Sequence, residues 1–454
     1  MLLARKRIDA TSGPLIRQII TYCFPLIITT LVQTLFHAVD LAVLGNMADS
    51  TAVASVGATS TTYHLLVNLF IGVSSGAKIL LSRFLGEKDP EKAKKTADTA
   101  ILLALSAGVG IAILGWIFSP LFLQLLNCPA ECFDGAVLYL RIYLTAAPAI
   151  LLYNYCSAIL NACGNTQSPL IFMLLGGVLN LVLNVLLCLI LPNKVLAVAL
   201  ATISAQILGA FLTFCRLCSG KESLQVDPKK LRWSGQAMKK ILLQGLPIGL
   251  YNILFPLGSL QISAALNTFG PSAIAGNSAS VTLESVANAF HAGIGSTCGV
   301  FMGQNLGAQK HDRVKKSLLH CFWLANLCIL LLGNGFFLTG RFWLSLLLPG
   351  DTVAWEFALI RMRYILCLGF INATNNLLTH MLQAFGYSAL TSANSVLCVL
   401  GFRVVWMTWI YPLNPTFPML IYCFFVSWLL MLVTNILFSS IVFTRYRRGK
   451  YKRL

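Results

Sequence analysis

Charge is scarce in this chain, and negative charge scarcest: Asp and Glu number 15 of 454 residues against 33 Lys and Arg, and 11% of residues are charged in all. A soluble domain carries about 25% charged residues, so an ordinary soluble fold is excluded. Enzyme signatures are also wanting. Neither an H-E-x-x-H run nor clustered aspartates for a metal-diphosphate site occur, and an intramembrane enzyme has no support. The absence of a Walker A motif leaves an ion gradient to drive any transport. No cofactor is implied.

What the chain has in abundance is apolar surface: 57% of residues are hydrophobic and the mean hydropathy is +0.77. It therefore reads as an all-α polytopic membrane protein, with about twelve runs long enough to cross a bilayer, the first at 15–44 and the last at 417–443. The first run is too long for a signal-peptide core and ends in no small-residue cleavage site, so it is expected to stay as a helix. Most of the 14 cysteines fall inside apolar runs and read as small buried residues. Cys128 and Cys132, in the exterior segment NCPAECFD, are the pair that could oxidise.

The formal charge of +18 suggests a nucleic-acid partner only until its distribution is seen. The basic residues gather in alternate short segments, while the intervening loops hold only Lys194 and Arg341. By the positive-inside rule this bias sets both termini in the cytoplasm, with no nucleic acid involved.

The sequence also repeats. Phe24-Pro25 returns as Leu246-Pro247, Phe84-Leu85-Gly86 as Asn305-Leu306-Gly307, and Leu160 to Gly164 as Leu382 to Gly386, all offset by about 221 or 222 positions. Two halves of six helices each follow: an N-lobe at 1–216, a polar basic linker at 217–236 and a C-lobe at 237–454. An even helix count makes the halves parallel, related by an axis along the membrane normal. Two pseudo-symmetric six-helix bundles that rock about a shared cleft are transporter architecture, expected here as a monomer in a lipid bilayer.

Within the first run stands an acid, Asp40. A charge at bilayer depth costs about 2.5 kcal/mol or more, so such residues face a cavity or a partner. Gln33, His37 and Asp40 share one helix face within about 60°. Pro25 removes a backbone hydrogen bond from the same helix and gives it a place to bend. Asn180 and Asn184 are i, i+4 neighbours beside Gly176 and Gly177, and Thr202 adds a hydroxyl. In the second half, Glu284, Asn288 and His291 form a stripe with Asn277, and Asn372, Asn375, Asn376 and Thr379 form another. Arg141, Arg363 and Arg403 fall inside runs and are expected to pair with acids or carbonyls. Asp98 reads as a solvated acid at a helix start.

The segments VDLAVLG and VLGNMADSTAVASVG around Asp40, FLGEKDPEKAKK, YNYCSAILNACGNTQSPL, NLVLN and MGQNLGA together resemble the multidrug and toxic compound extrusion (MATE) transporters, in particular their bacterial DinF-like branch. The resemblance covers essentially the whole chain. It implies a twelve-helix antiporter of a bacterial inner membrane that exports small organic substrates, cationic or amphipathic, in exchange for protons or sodium. It implies too that Asp40, with Asn180 and Thr202, forms the coupling site, where a sodium ion could bind. Asn184 stands where many relatives have a second acid. Asn252 lies in the region where other branches use a C-lobe acid, which leaves Glu284 on the next helix as the substitute. A flippase for lipid-linked oligosaccharide or peptidoglycan precursors is the alternative, though such proteins usually have about fourteen spans.

Overall fold

The computed structural model describes residues 8–47, 50–125, 128–220 and 222–449; the side chains at 36–42, 44–47, 50–54, 58, 60–65, 257 and 260 lie outside the description. With no water at bilayer depth, backbone donors and acceptors must pair within their own segment, and apolar runs of this length close into helices. The first half forms α1 (Leu15–Met47), α2 (Ser50–Glu87), α3 (Pro90–Leu125), α4 (Ala130–Thr145), α5 (Ala147–Ala162), α6 (Gln167–Ile190) and α7 (Lys194–Cys218). The second forms α8 (Gly235–Gly258), α9 (Leu260–Asn267), α10 (Pro271–Gly307), α11 (His311–Leu338), α12 (Gly340–Leu347), α13 (Thr352–Ile365), α14 (Gly369–Ala384), α15 (Ser388–Ser395), α16 (Phe402–Val405) and α17 (Phe417–Arg447). No strand occurs among the described residues.

Each expected run lands on one helix or on a broken pair. The fourth run is α4 and α5, bent by 45°, and the tenth is α13 and α14, also bent by 45°. The eleventh is α15 and α16 joined through a π-helical stretch at Val396–Gly401 and followed by another at Trp406–Ile410. Among the described residues, nine helices are long and apolar enough to cross a membrane, and the two bent pairs pass together. The protein is thus a multi-pass membrane protein.

The helix ends repeat as the sequence does. Lys88, after α2, and Gln309, after α10, are the only non-glycine residues with positive φ among those described, at 54° and 57°. Asp89 N–H then donates to the Phe84 carbonyl at 3.1 Å, and Lys310 N–H to the Asn305 carbonyl at 2.9 Å, closing both helices in the same way. Asp89 accepts from the Lys92 ammonium and backbone N–H, which holds its carboxyl below the usual range. Gly164 and Gly386 turn at φ 87° and 91°, again at equivalent positions.

The chain divides into two compact units: Met1–Ala10 with Ile28–Gly249, and Thr11–Ile27 with Leu250–Leu454. The chain changes unit between Ala10 and Thr11, inside α1 two residues after Pro25, and inside α8 two residues after Pro247. In the first unit, α2 meets the middle of α8 through glycine. A side chain on Gly72 or Gly76 would strike the backbone of Gly249 or Gly245. In the second unit, Gly293 of α10 meets Ile27 of α1, and Tyr22 packs edge-on against Phe301 at 5.4 Å between ring centroids.

The linker is fastened to the first unit. Glu222 accepts from Arg216 at 2.9 Å and from the Asn165 amide at 2.8 Å, and Ser234 N–H donates to Thr99 Oγ1 at 3.2 Å. Asp98 corrects the sequence reading: it is buried, not solvated, and accepts a backbone hydrogen bond from Arg232. Arg141 behaves as expected, donating to the Trp116 carbonyl at 3.2 Å. Cys128 and Cys132 are free thiols. Two motifs need their context: Cys215 and Cys218 have C-x-x-C spacing but are also free, and Gly72 to Gly76 has G-x-S-x-G spacing. A nucleophile elbow needs a strand-to-helix turn, whereas Ser74 is buried in the middle of α2 and donates to the Ile71 carbonyl at 2.7 Å.

Candidate functional site

Polar side chains collect at two places, one in each unit. In the first unit, α6 and α7 lie close enough at Gly176 that an added Cβ would sit 3.0 Å from the Ala205 carbonyl oxygen. That approach joins the predicted residues. The Asn180 amide donates to Thr202 Oγ1 at 3.4 Å, and the Asn184 amide donates to Asn180 Oδ1 at 3.2 Å. Thr202 Oγ1 donates to the Val198 carbonyl at 2.9 Å, which directs its lone pairs toward Asn180. Asn180 and Asn184 are buried and Thr202 is half-buried. Gln33 is exposed on α1. The side chains of His37 and Asp40 lie outside the described residues, so the structure makes no statement about their distance to this chain of amides. Among the described residues no three His, Cys, Asp or Glu side chains converge, and a cation at Asn180 and Thr202 would meet amide and hydroxyl oxygens.

The second unit holds a cavity of about 540 Å³, within the range of small-molecule sites. Its walls follow the two stripes. α10 supplies Asn277, Glu284, Asn288 and His291, and α14 supplies Asn372, Asn375, Asn376 and Thr379. Tyr251 and Phe255 of α8 and Phe424 of α17 give it flat apolar surface. His291 Nε2 and Asn288 Oδ1 are 2.7 Å apart, while His291 Nδ1, Asn376 Oδ1 and Thr379 Oγ1 are buried without a hydrogen-bond partner.

Two arginines complete this site. Arg361 of α13 donates through Nη2 to Glu284 Oε2 at 2.7 Å and through Nη1 to Asn277 Oδ1 at 3.1 Å. Arg403 of α16 is 2% exposed, makes no ion pair among the described residues, and has a buried Nε without a partner. Its guanidinium lies 4.4 Å from the Phe424 ring centroid and 5.5 Å from that of Phe255; Arg361 covers Phe424 at 4.9 Å. A desolvated cation–π contact is worth about 2 kcal/mol, whereas desolvating a charge costs several. The rings alone do not offset the burial of Arg403. The backbone on either side of it is π-helical, a geometry that recurs at functional sites.

Asn375 plays a different part from Asn376. Its amide donates to the Trp428 carbonyl at 2.8 Å and its oxygen accepts from Asn435 at 3.1 Å, while Asn394 donates to Asn435 at 3.0 Å. This ladder ties α14, α17 and α15 together. Sequence reasoning missed Arg361, although a stranded Glu284 signalled that some neighbouring helix had to bring a cation.

Comparison with known proteins follows the same lines. The chain is 25% identical over 309 residues to the probable multidrug resistance protein YpnP of Bacillus subtilis, covering 68% of this chain and 69% of that one. It is 26% identical over 318 residues to a protein of Shewanella oneidensis named FAD transporter, with 68% and 69% covered. A MOP superfamily transporter from Pyrococcus furiosus has the same fold, with a TM-score of 0.87 at 17% identity over 98% of this chain and 100% of that one. The MatE family model matches residues 25–186 and 247–409, most of both halves, and with this fold, these relatives and its motifs the chain belongs to the MATE family of membrane transporters.

Proposed function

We propose that the protein is an ion-coupled antiporter that exports small amphipathic organic compounds by alternating access. The observation that carries this reading is the cavity of the second unit, whose size suits a drug-like molecule and whose wall mixes aromatic faces with unsatisfied polar atoms. The names of the relatives from B. subtilis and S. oneidensis, a multidrug resistance protein and an FAD transporter, point to organic cargo. The even number of runs and the basic loops support both termini in the cytoplasm, and the bacterial relatives support a bacterial cell membrane.

Coupling is assigned to Asp40, with Asn180 and Thr202 as the polar residues that would share the ion with it. An ionised carboxylate in an apolar helix is costly, and a proton or a sodium ion relieves that cost by neutralising it. Binding of the ion therefore favours a conformation in which the acid is less hydrated, and release of the ion favours the opposite one; substrate selects between the same two states. Pro25 supplies the point at which α1 bends, because one backbone hydrogen bond is already missing there.

Proteoliposomes with separately imposed proton and sodium gradients test the reading. Efflux should follow one gradient and be lost in Asp40→Asn at normal expression; coupled efflux by that variant overturns the assignment. Spin labels at Leu35 and Leu181 should change separation between acidic and alkaline pH, and an unchanged distance removes the bending of α1.

A further inference from the structure

We infer that the cavity of the second unit accepts a compact aromatic compound carrying one negative charge, a carboxylate or sulfonate, with Arg403 as its counter-ion. The inference rests on reading this cavity as the substrate chamber of an exporter, and it names the class of substrate. Tyr251, Glu284, His291, Arg361 and Arg403 are the titratable side chains that line the space. Glu284 is held by Arg361 at 2.7 Å. His291 is engaged by Asn288, and a tyrosine is neutral near pH 7. Among the described residues, one guanidinium charge is left without an acid.

The geometry around Arg403 says what would balance it. The Phe424 and Phe255 rings lie within cation–π distance of the guanidinium, but an aromatic ring is a poor acceptor for its five N–H donors. Planar oxyanions satisfy them, through paired hydrogen bonds to adjacent donors. Thr379 Oγ1, on the same cavity wall, is a further donor in want of a partner. The rings of Tyr251, Phe255 and Phe424 present flat surface to an aromatic body. A cationic substrate would find a single carboxylate, already committed to Arg361, and a repelling guanidinium beside it.

Three dansyl compounds test this with one fluorophore: dansylglycine as the anion, its methyl ester as the neutral form and dansylcadaverine as the cation. Binding to the full chain in nanodiscs, corrected with empty discs, should rank dansylglycine at least tenfold tighter than the other two. Arg403→Gln should weaken dansylglycine by tenfold or more, and Arg403→Lys by only a few-fold. Equal or tighter binding of dansylcadaverine by the wild type overturns the inference even if no variant folds, as does unchanged binding of dansylglycine by a folded Arg403→Gln protein. Efflux from proteoliposomes separates this from the broader reading. Dye that binds by charge but is not moved under any ion gradient leaves the inference standing and removes the exporter; export that favours dansylcadaverine removes the inference alone.

Discussion

Arg361 on α13 and Glu284 on α10 meet at 2.7 Å across 77 residues of sequence, in a cavity wall where each is the other's ionic partner. Both side chains are largely buried, and neither charge is stable there without the other. Glu284→Gln should therefore destabilise the protein by about 3 kcal/mol, since removing one member of a buried pair leaves the other uncompensated. The double variant Glu284→Gln/Arg361→Gln should recover much of that loss. Thermal unfolding of the four proteins in a double-mutant cycle checks it, and additive effects would contradict the pairing.

The Asn375–Asn435–Asn394 ladder predicts stability without transport. Asn435→Ala removes two interhelical hydrogen bonds of about 0.6 kcal/mol each and leaves their partners buried, so the midpoint of unfolding should fall. Export kinetics below that temperature should stay as in the wild type. Asn180→Ala should do the reverse, shifting the ion concentration for half-maximal efflux more than it shifts stability.

Two helix-interior glycines should respond differently to one methyl group. Gly76→Ala drives a Cβ into the Gly245 backbone and should cost about 1 to 3 kcal/mol by overpacking. Gly110→Ala, on α3, has nothing within 4 Å and should be neutral or stabilising by up to about 1 kcal/mol. Unfolding midpoints of the two variants decide the matter.

Cys128 lies in the turn before α4, where burial, with the neighbouring Cys132 adding to it, raises its thiol above the ordinary value of 9.0. Only the thiolate alkylates rapidly, so maleimide modification should be slower than for a free thiol at pH 7 and still be rising at pH 9. Peptide mapping by mass spectrometry follows it residue by residue.

The sequence disclosed the helices because hydrophobic length and basic loops are local signals, and it disclosed the two halves because the offset between Pro25 and Pro247 recurs at Gly164 and Gly386. Periodicity also placed Glu284, Asn288 and His291 on one face. What it did not disclose was what that face meets. Arg361 and Arg363 are two residues apart and point to different sides of α13, and only the packing shows that Arg361 is the one that finds the acid. The bends between α4 and α5 and between α13 and α14 were likewise hidden, because a broken span and a straight one have the same hydropathy. Asp98 looked solvated beside its basic loop, until the linker was seen to return over it at Arg232.

The two changes of unit inside α1 and α8 bear on how such a chain can be divided. A gene cut in the linker would yield fragments that each carry a foreign piece and lack one of their own: 11–27 would leave with the first fragment, and 237–249 with the second. Each product would expose the bare groove along α2 or α10 in which the missing segment sits. Separately made halves should misfold, and co-expressed halves should rescue one another. A duplication that once joined two copies would in this way have become irreversible, because each copy now completes the other's core.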